Sequence, residues 1–278
     1  MTGHRLLVFD TDPALHALLG AVLRRDGRSI EDAYDSGEAL DALRRCGCDL
    51  VLAGQGRDGG DGIKLLRQIR SIRPETKVIL ADGRDPVRVV AAIRARAYAY
   101  FHKPVPPGPL AHMVQLALDT KAWRDDIRVT SARREWITLE VRSKLETAER
   151  TTQFVREVLA DLDPRTAEDI AATFRELLVN AIEHGSKSDA RKRVRASLVR
   201  TSRAVITHIA DPGQGFSLEA LPHAAISNPE GDPTRHIGYR EEKGQRAGGF
   251  GILMCRNLAD ELCYNECGNA VMAVKYLK

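Results

Sequence analysis

Short apolar runs alternate with segments of helical periodicity over roughly the first hundred residues, and few folds accept that order. Arg5–Phe9, Asp49–Ala53, Lys77–Ala81 and Tyr98–Phe101 are brief, nearly continuous apolar runs, the pattern of strands covered on both faces. Between them, Pro13–Arg25, Ser36–Cys46, Ile63–Ile72 and Pro86–Arg96 carry apolar residues at helical spacing. A helix-length crossover between successive strands suits parallel neighbours, whereas antiparallel ones need only a tight turn. The expected fold class is therefore α/β, a doubly wound parallel sheet with helices on both faces. Sites in such sheets form beyond the carboxyl ends of the strands. Those ends carry Asp10-Thr11-Asp12, Gly54-Gln55-Gly56, Ala81-Asp82 and His102-Lys103-Pro104.

A helical pattern with Leu110, Met113, Val114 and Leu116 leads out of this unit, and the charged stretch after it lacks periodicity. The expected domains are residues 1–122, a helical linker over 123–134, and residues 135–278. The second domain should open with a strand, Glu135–Val141, and continue through two long helical stretches to strands Val194–Arg200 and Ala204–Asp211. With 278 residues, 43% of them hydrophobic, the chain is long enough for two ordinary domains. No apolar run approaches the roughly 18 residues of a membrane span, and Met1–Leu7 is too short for a signal peptide, so a cytoplasmic protein without membrane contact is expected. Cys46, Cys48, Cys255, Cys263 and Cys267 lack the paired spacing of a zinc site and read as reduced thiols. The net charge of +4 is modest, and its densest cluster (Arg191, Lys192, Arg193, Arg195) reads as a solvated turn entering a strand. No helix-turn-helix or aromatic-basic pattern accompanies it, so direct nucleic-acid contact is not expected.

Asp163-Pro164 is a good helix start and Gly185 a good stop. Between them, Glu176, Asn180, Glu183 and His184 fall on one stripe, opposite the apolar Leu178, Ala181 and Ile182. By itself that stripe reads equally well as a solvent face. A later strand ends in Asp211-Pro212-Gly213-Gln214-Gly215-Phe216, a carboxylate followed by glycines that permit close backbone approach. Gly244 and Gly248-Gly249-Phe250-Gly251 then precede a helical run, Ile252–Leu262. Glycines opening a helix expose amides suited to phosphates. Each motif is weak singly.

Their order is not. ELLVNAIEHG resembles the N box, DPGQGF the first glycine box and GGFGILMCRNLADE the second glycine box of the GHKL superfamily, over residues 135–278 and including the ending YNECGNAVMAVKYLK. The EHG ending and the short span resemble the anti-sigma-factor serine kinase branch. The resemblance implies a two-layer α/β Bergerat sandwich that binds ATP and Mg2+. It implies that Asn180 ligands Mg2+ through the nucleotide and that Asp211 accepts a hydrogen bond from the adenine amino group. Gly213 and Gly215 would border the base, and Gly248, Gly249 and Gly251 would shape the lid and phosphate contact. Glu176 would be catalytic, orienting or deprotonating the attacking hydroxyl. The polar, proline-bearing segment Ser217–Gln245 fits a mobile ATP lid but departs from the family in length and character, which leaves lid contacts unassigned. A histidine kinase would need a phosphoaccepting histidine upstream, and none stands between His112 and His184. The implied activity is an ATP-dependent serine/threonine protein kinase acting on an anti-anti-sigma (STAS-like) protein, with a sigma factor as alternative ligand. A homodimer stays open. The alternative is an ATP-binding partner-switching module without phosphoryl transfer. Retention of Glu176 favours the kinase, since a pure binder needs only Asn180 and Asp211.

LLVFDTDP, DLVLAGQGRDGGDGIKLLRQI and YAYFHKPV resemble a response-regulator receiver over residues 4–121. Receivers take phosphate on an aspartate ending the third strand, beside two acids that hold Mg2+. Here Gly54 stands at that position, Asp10 remains with Thr11 as its neighbour, and Ala81 replaces the hydroxyl residue, while Lys103-Pro104 and Tyr100 persist. Asp58 and Asp61 lie beyond the strand end. The resemblance thus implies a degenerate pseudo-receiver that signals by contact, by dimerisation or by an unphosphorylated switch, with Asp10 and Lys103 paired in the vacated pocket.

Overall fold

The computed structural model describes residues 3–23, 28–215 and 250–278. Contacts divide the chain into two compact units, residues 1–125 with 157–161, and residues 126–156 with 162–278.

The first unit is a five-stranded parallel sheet, β1 (Arg5–Phe9), β2 (Ser29–Ala33), β3 (Leu50–Ala53), β4 (Lys77–Asp82) and β5 (Ala99–His102), in the order β2-β1-β3-β4-β5. This is the doubly wound, flavodoxin-like order, with its switch point between β1 and β3. Helices α1 (Pro13–Leu23), α2 (Ser36–Cys46), α3 (Gly62–Ile72) and α4 (Pro86–Arg94) make the crossovers, and α5 (Pro107–Asp119) follows β5. One sheet face, with Leu6, Val8, Leu50, Leu52, Ile79 and Phe101, packs on Leu15 and Leu19 of α1 and on Leu110, Met113 and Val114 of α5. The other lies against α2, α3 and α4. Burial on both faces explains why these strands are apolar throughout.

β2 has no counterpart among the apolar runs. It carries Ser29, Glu31 and Asp32 and pairs only with β1, and an edge strand needs no continuous apolar sequence.

The second unit is a six-stranded antiparallel sheet: β6 (Ile127–Ala132), β7 (Trp136–Arg142), β8 (Arg193–Arg200), β9 (Ala204–Ala210), β10 (Glu261–Tyr264) and β11 (Ala270–Tyr276), ordered β10-β11-β9-β8-β7-β6. Burial alternates along β7, β8 and β9, so one face carries Ile137, Leu139, Val141, Val194, Ala196, Leu198, Val205 and Ile209. Helix α7 (Pro164–Asn180) lies against β9 and β11, and α8 (Gly251–Leu258) lies against α7 and β10. Arg175 of α7 donates from Nε to Glu149 Oε1 (3.0 Å) on α6 (Leu145–Val158).

Two expectations are corrected. Residues 123–134 are not a helical linker: 127–132 form the edge strand β6, paired with β7. Half-buried Ile127 and Val129 alternate there with exposed Arg128 and Thr130, a period of two that the charge and a bulge between Val129 and Ser131 obscure. Likewise the helical run Ile252–Leu262 ends at Leu258, and Leu262 belongs to β10, where pairing with Ala273 overrides its helical spacing. Among the described residues no helix is long and apolar enough to cross a membrane.

Candidate functional site

Helix α7 is aimed by its start. Asp163 accepts from the Thr166 amide (2.9 Å), Pro164 follows, and Ile170, Phe174, Leu177 and Leu178 bury the inner face. Glu176 and Asn180 then stand one turn apart near its end, both half-buried. Beyond Asn180 the helix widens into a π turn, Ala181–Gly185, closed by the Ser186 amide on Ala181 O (2.8 Å). The wider turn breaks the expected four-residue stripe. Glu183 and His184 are exposed, while Ala181 and Ile182 stay buried.

What the π turn positions is Gly185. A Cβ there would meet the Asp211 carboxylate at 2.2–2.5 Å, and one on Gly213 would meet Gly185 O at 2.4 Å. Sequence reading took Gly185 only as a helix stop; its place at the end of the N box was the available signal.

Asp211 follows β9. Its amide donates to Asn269 O (2.9 Å), and its Oδ1 accepts from the Gly213 amide (2.7 Å). Burial raises its carboxyl above the ordinary range, against the opposing pull of the Gly213 amide and the Lys192 charge. No hydrogen bond from the described residues reaches its Oδ2. A half-buried carboxylate with one oxygen that no described residue engages, walled by Gly185 and Gly213, fits a flat base bearing an exocyclic amine. Gly215, at φ +77, packs so tightly that a Cβ would lie 1.8 Å from Cys267 O, and its left-handed backbone also favours glycine.

Glu176 meets Gly251. A Cβ on Gly251 would lie 1.7 Å from Glu176 Oε1, so the carboxylate stands at the first residue of α8, where backbone amides lack helical partners. Its charge is felt nearby: burial first and Glu176 second push the Cys255 thiol up to about 12. Gly248, Gly249, Gly244 and the segment Ser217–Gln245 lie outside the described residues. Among the described residues no group of three or more His, Cys, Asp or Glu could hold a metal ion. A single amide such as that of Asn180, beside phosphate oxygens and water, is a ligand set that suits a hard ion.

In the first unit the strand ends bring Asp10, Gly54, Ala81 and Lys103 together. Lys103 Nζ donates to both oxygens of fully buried Asp10 (2.7 Å each), so the expected pair is present. A Cβ on Gly54 would meet Asp10 Oδ2 at 1.7 Å and Ala81 O at 2.8 Å. Thr11 is exposed and takes no part. Beside this pair lies a cluster that sequence reading missed. Arg88 donates from Nε to Asp82 Oδ2 (2.5 Å) and from Nη2 to Asp61 Oδ1 (2.7 Å). Asp61 also caps α3 through the Ile63 amide, and Asp58 accepts from the amides of Ser36 and Gly60. Tyr100 is fully buried and its hydroxyl donates to Gly83 O (2.7 Å); burial, then the Asp82 charge, raises that phenol.

Comparison with known proteins follows the same division. Residues 6–115 match the response regulator receiver domain family, and residues 141–275 match the histidine kinase-like ATPase domain family. The transcriptional regulatory protein GlrR of Escherichia coli K12 is 32% identical over 129 residues, 44% of this chain and 29% of GlrR. The DNA-binding response regulator MtrA of Mycolicibacterium smegmatis is 35% identical over 114 residues, 41% of this chain and 50% of MtrA. The chain thus covers half or less of the length of these relatives. Among solved structures, the receiver domain of NtrX from Brucella abortus is 29% identical, with a TM-score of 0.38, covering 41% of this chain and 98% of that one. The chain therefore joins a response-regulator receiver domain to a histidine-kinase-like ATPase domain.

Proposed function

We propose that the chain is a bacterial signalling regulator whose ATPase domain is a serine/threonine protein kinase of the anti-sigma-factor type. Its substrate is a hydroxyl on a small anti-anti-sigma (STAS-like) protein, and a sigma factor is its alternative ligand. The position of Glu176 carries this reading. A carboxylate at the amide-rich start of α8, one turn before Asn180, repels bound phosphates and so is a burden on a site that only holds nucleotide. It is useful where a hydroxyl must be oriented toward the terminal phosphate and relieved of its proton. Asp211 accepts from the adenine amino group, a position where guanine presents a carbonyl. Asn180 gives its amide oxygen to Mg2+, which neutralises charge on the phosphates.

The receiver domain, in this reading, takes no phosphoryl group. Gly54 offers no nucleophile. A side chain there would have to drive Asp10 from Lys103 and press on the Ala81 carbonyl.

The full chain, incubated with labelled ATP, Mg2+ and STAS-domain proteins, should transfer label to one of them. Glu176→Ala should reduce transfer about 10²–10⁴-fold, the usual worth of a general base, and still take up ADP. Asn180→Ala should lose magnesium-dependent uptake. Uptake without transfer to any partner would establish the partner-switching module instead. No magnesium-dependent uptake of ATP or ADP would remove both.

A further inference from the structure

The adenine carboxylate does not hold its own position. Asp211 Oδ1 is held by the Gly213 amide, so its direction depends on where Gly213 sits. Gly213 is gripped from its other side by the turn between β10 and β11. Asn269 Nδ2 donates to Gly213 O (3.2 Å), and Asn269 O accepts from the Asp211 amide (2.9 Å). Asn269 is fixed in turn by Asn265. The Asn265 Oδ1 accepts from the amides of Asn269 and Ala270 (3.0 Å each), and its Nδ2 donates to Asn269 Oδ1 (2.8 Å).

The orientation of both amides follows from chemistry. A carbonyl can only accept, so Asn269 must present its NH2 group to Gly213; its oxygen then faces Asn265, whose own oxygen must meet two backbone N–H groups. Each step has one solution. The same turn presses Cys267 O against Gly215, so both glycines of the loop after β9 rest on it.

We infer that Asn269 is a positioning residue for base selection. Acting through Gly213, it holds the Asp211 carboxylate at the angle that accepts an exocyclic amine, and Asn265 holds Asn269. This rests on the adenine reading of Asp211 and extends it to residues that touch no nucleotide. Such a role differs from simple support of the hairpin. A loosened Asp211 costs the adenine contact, while phosphate contacts, common to all nucleotides, are unaffected.

The test is titration of the full chain with Mg-ADP and Mg-GDP. Asn269→Ala should weaken ADP about tenfold, or ~1.4 kcal/mol, and leave GDP unchanged, so that the preference for ADP falls by the same factor. Asn269→Asp keeps the shape and the oxygen facing Asn265 but loses the donor, and should show at least the same loss. Asn265→Ala should cost about threefold, and the double variant Asn265→Ala/Asn269→Ala should be no weaker than Asn269→Ala alone, because the two act in series. ADP affinity unchanged in both Asn269 variants, or equal losses for ADP and GDP, would overturn the inference. A wild-type chain that binds no Mg-ADP would instead sink the adenine reading itself, an outcome distinguished by needing no variant.

Discussion

At Asp211 two forces oppose each other. Burial disfavours the charged carboxylate, while the Gly213 amide and Lys192 favour it, and burial prevails. The sign for folding follows: with the pKa raised, this group's contribution to stability is complete below its unfolded value and is lost as pH rises through the folded value. The sign for recognition is the reverse, because the adenine amine needs an ionised acceptor. The ratio of ADP to GDP affinity, in which phosphate protonation cancels, should hold steady at neutral pH. It should fall on acidification at a pH above the ordinary aspartate range, and Asp211→Asn should flatten that dependence. A ratio independent of pH in the wild type would show that Asp211 does not face the base. Lys103 and Asp10 are the contrasting case. Their pairing was legible from the receiver resemblance, which puts both residues in one pocket at the carboxyl ends of the strands, where Gly54 and Ala81 bring no side chain that could pair with either charge.

Among the elements, the π turn after α7 does what an ordinary helix end would not. By adding a residue to the last turn it swings Gly185 onto Asp211 and releases Glu183 and His184 to solvent. Gly185→Ala would place a methyl group within the carboxylate, and the loop after β9 must then retreat. We expect a loss of Mg-ADP affinity of about thirtyfold, ~2 kcal/mol, with Glu183→Ala near wild type as the exposed control. Comparable losses in both would mean that the stripe, and not the turn, forms the site. The turn was invisible in the sequence because AIEHG has no residue that demands five-residue closure.

For the whole molecule, the receiver domain should be insensitive to phosphoryl donors. Acetyl phosphate with Mg2+ should add no phosphoryl group detectable by mass spectrometry, and neither it nor the phosphoryl analogue beryllofluoride should change ADP affinity. Phosphorylation at Asp58 or Asp61 would contradict this. Asp58 accepts on both oxygens, from the amides of Ser36 and Gly60, so an acyl phosphate there would give up one of these bonds; at Asp61, whose Oδ1 accepts from the Ile63 amide and Arg88, it would remove the charge that pairs with Arg88. Input to this chain would then arrive by binding, and a partner protein that alters ADP affinity is the form it should take.

The parallel sheet, its crossover helices and the N-box helix were determined by the sequence alone, because burial on two faces or on one stripe leaves a periodic trace that local reading recovers. Polar edge strands leave almost none, whereas the apolar edge strand β5 was legible. β2 and β6 each have one neighbour and a solvated side, so their identity came only from pairing. The site divides in the same way. Glu176, Asn180, Asp211 and the glycines that follow are marked by residue type. The contacts of Gly185 with Asp211, Asn269 with Gly213 and Arg88 with Asp82 join residues distant in the chain or ordinary in kind. No local pattern encodes the first two, which exist only after the sheet has brought its strand ends together, and nothing in the short span from Asp82 to Arg88 marks the third.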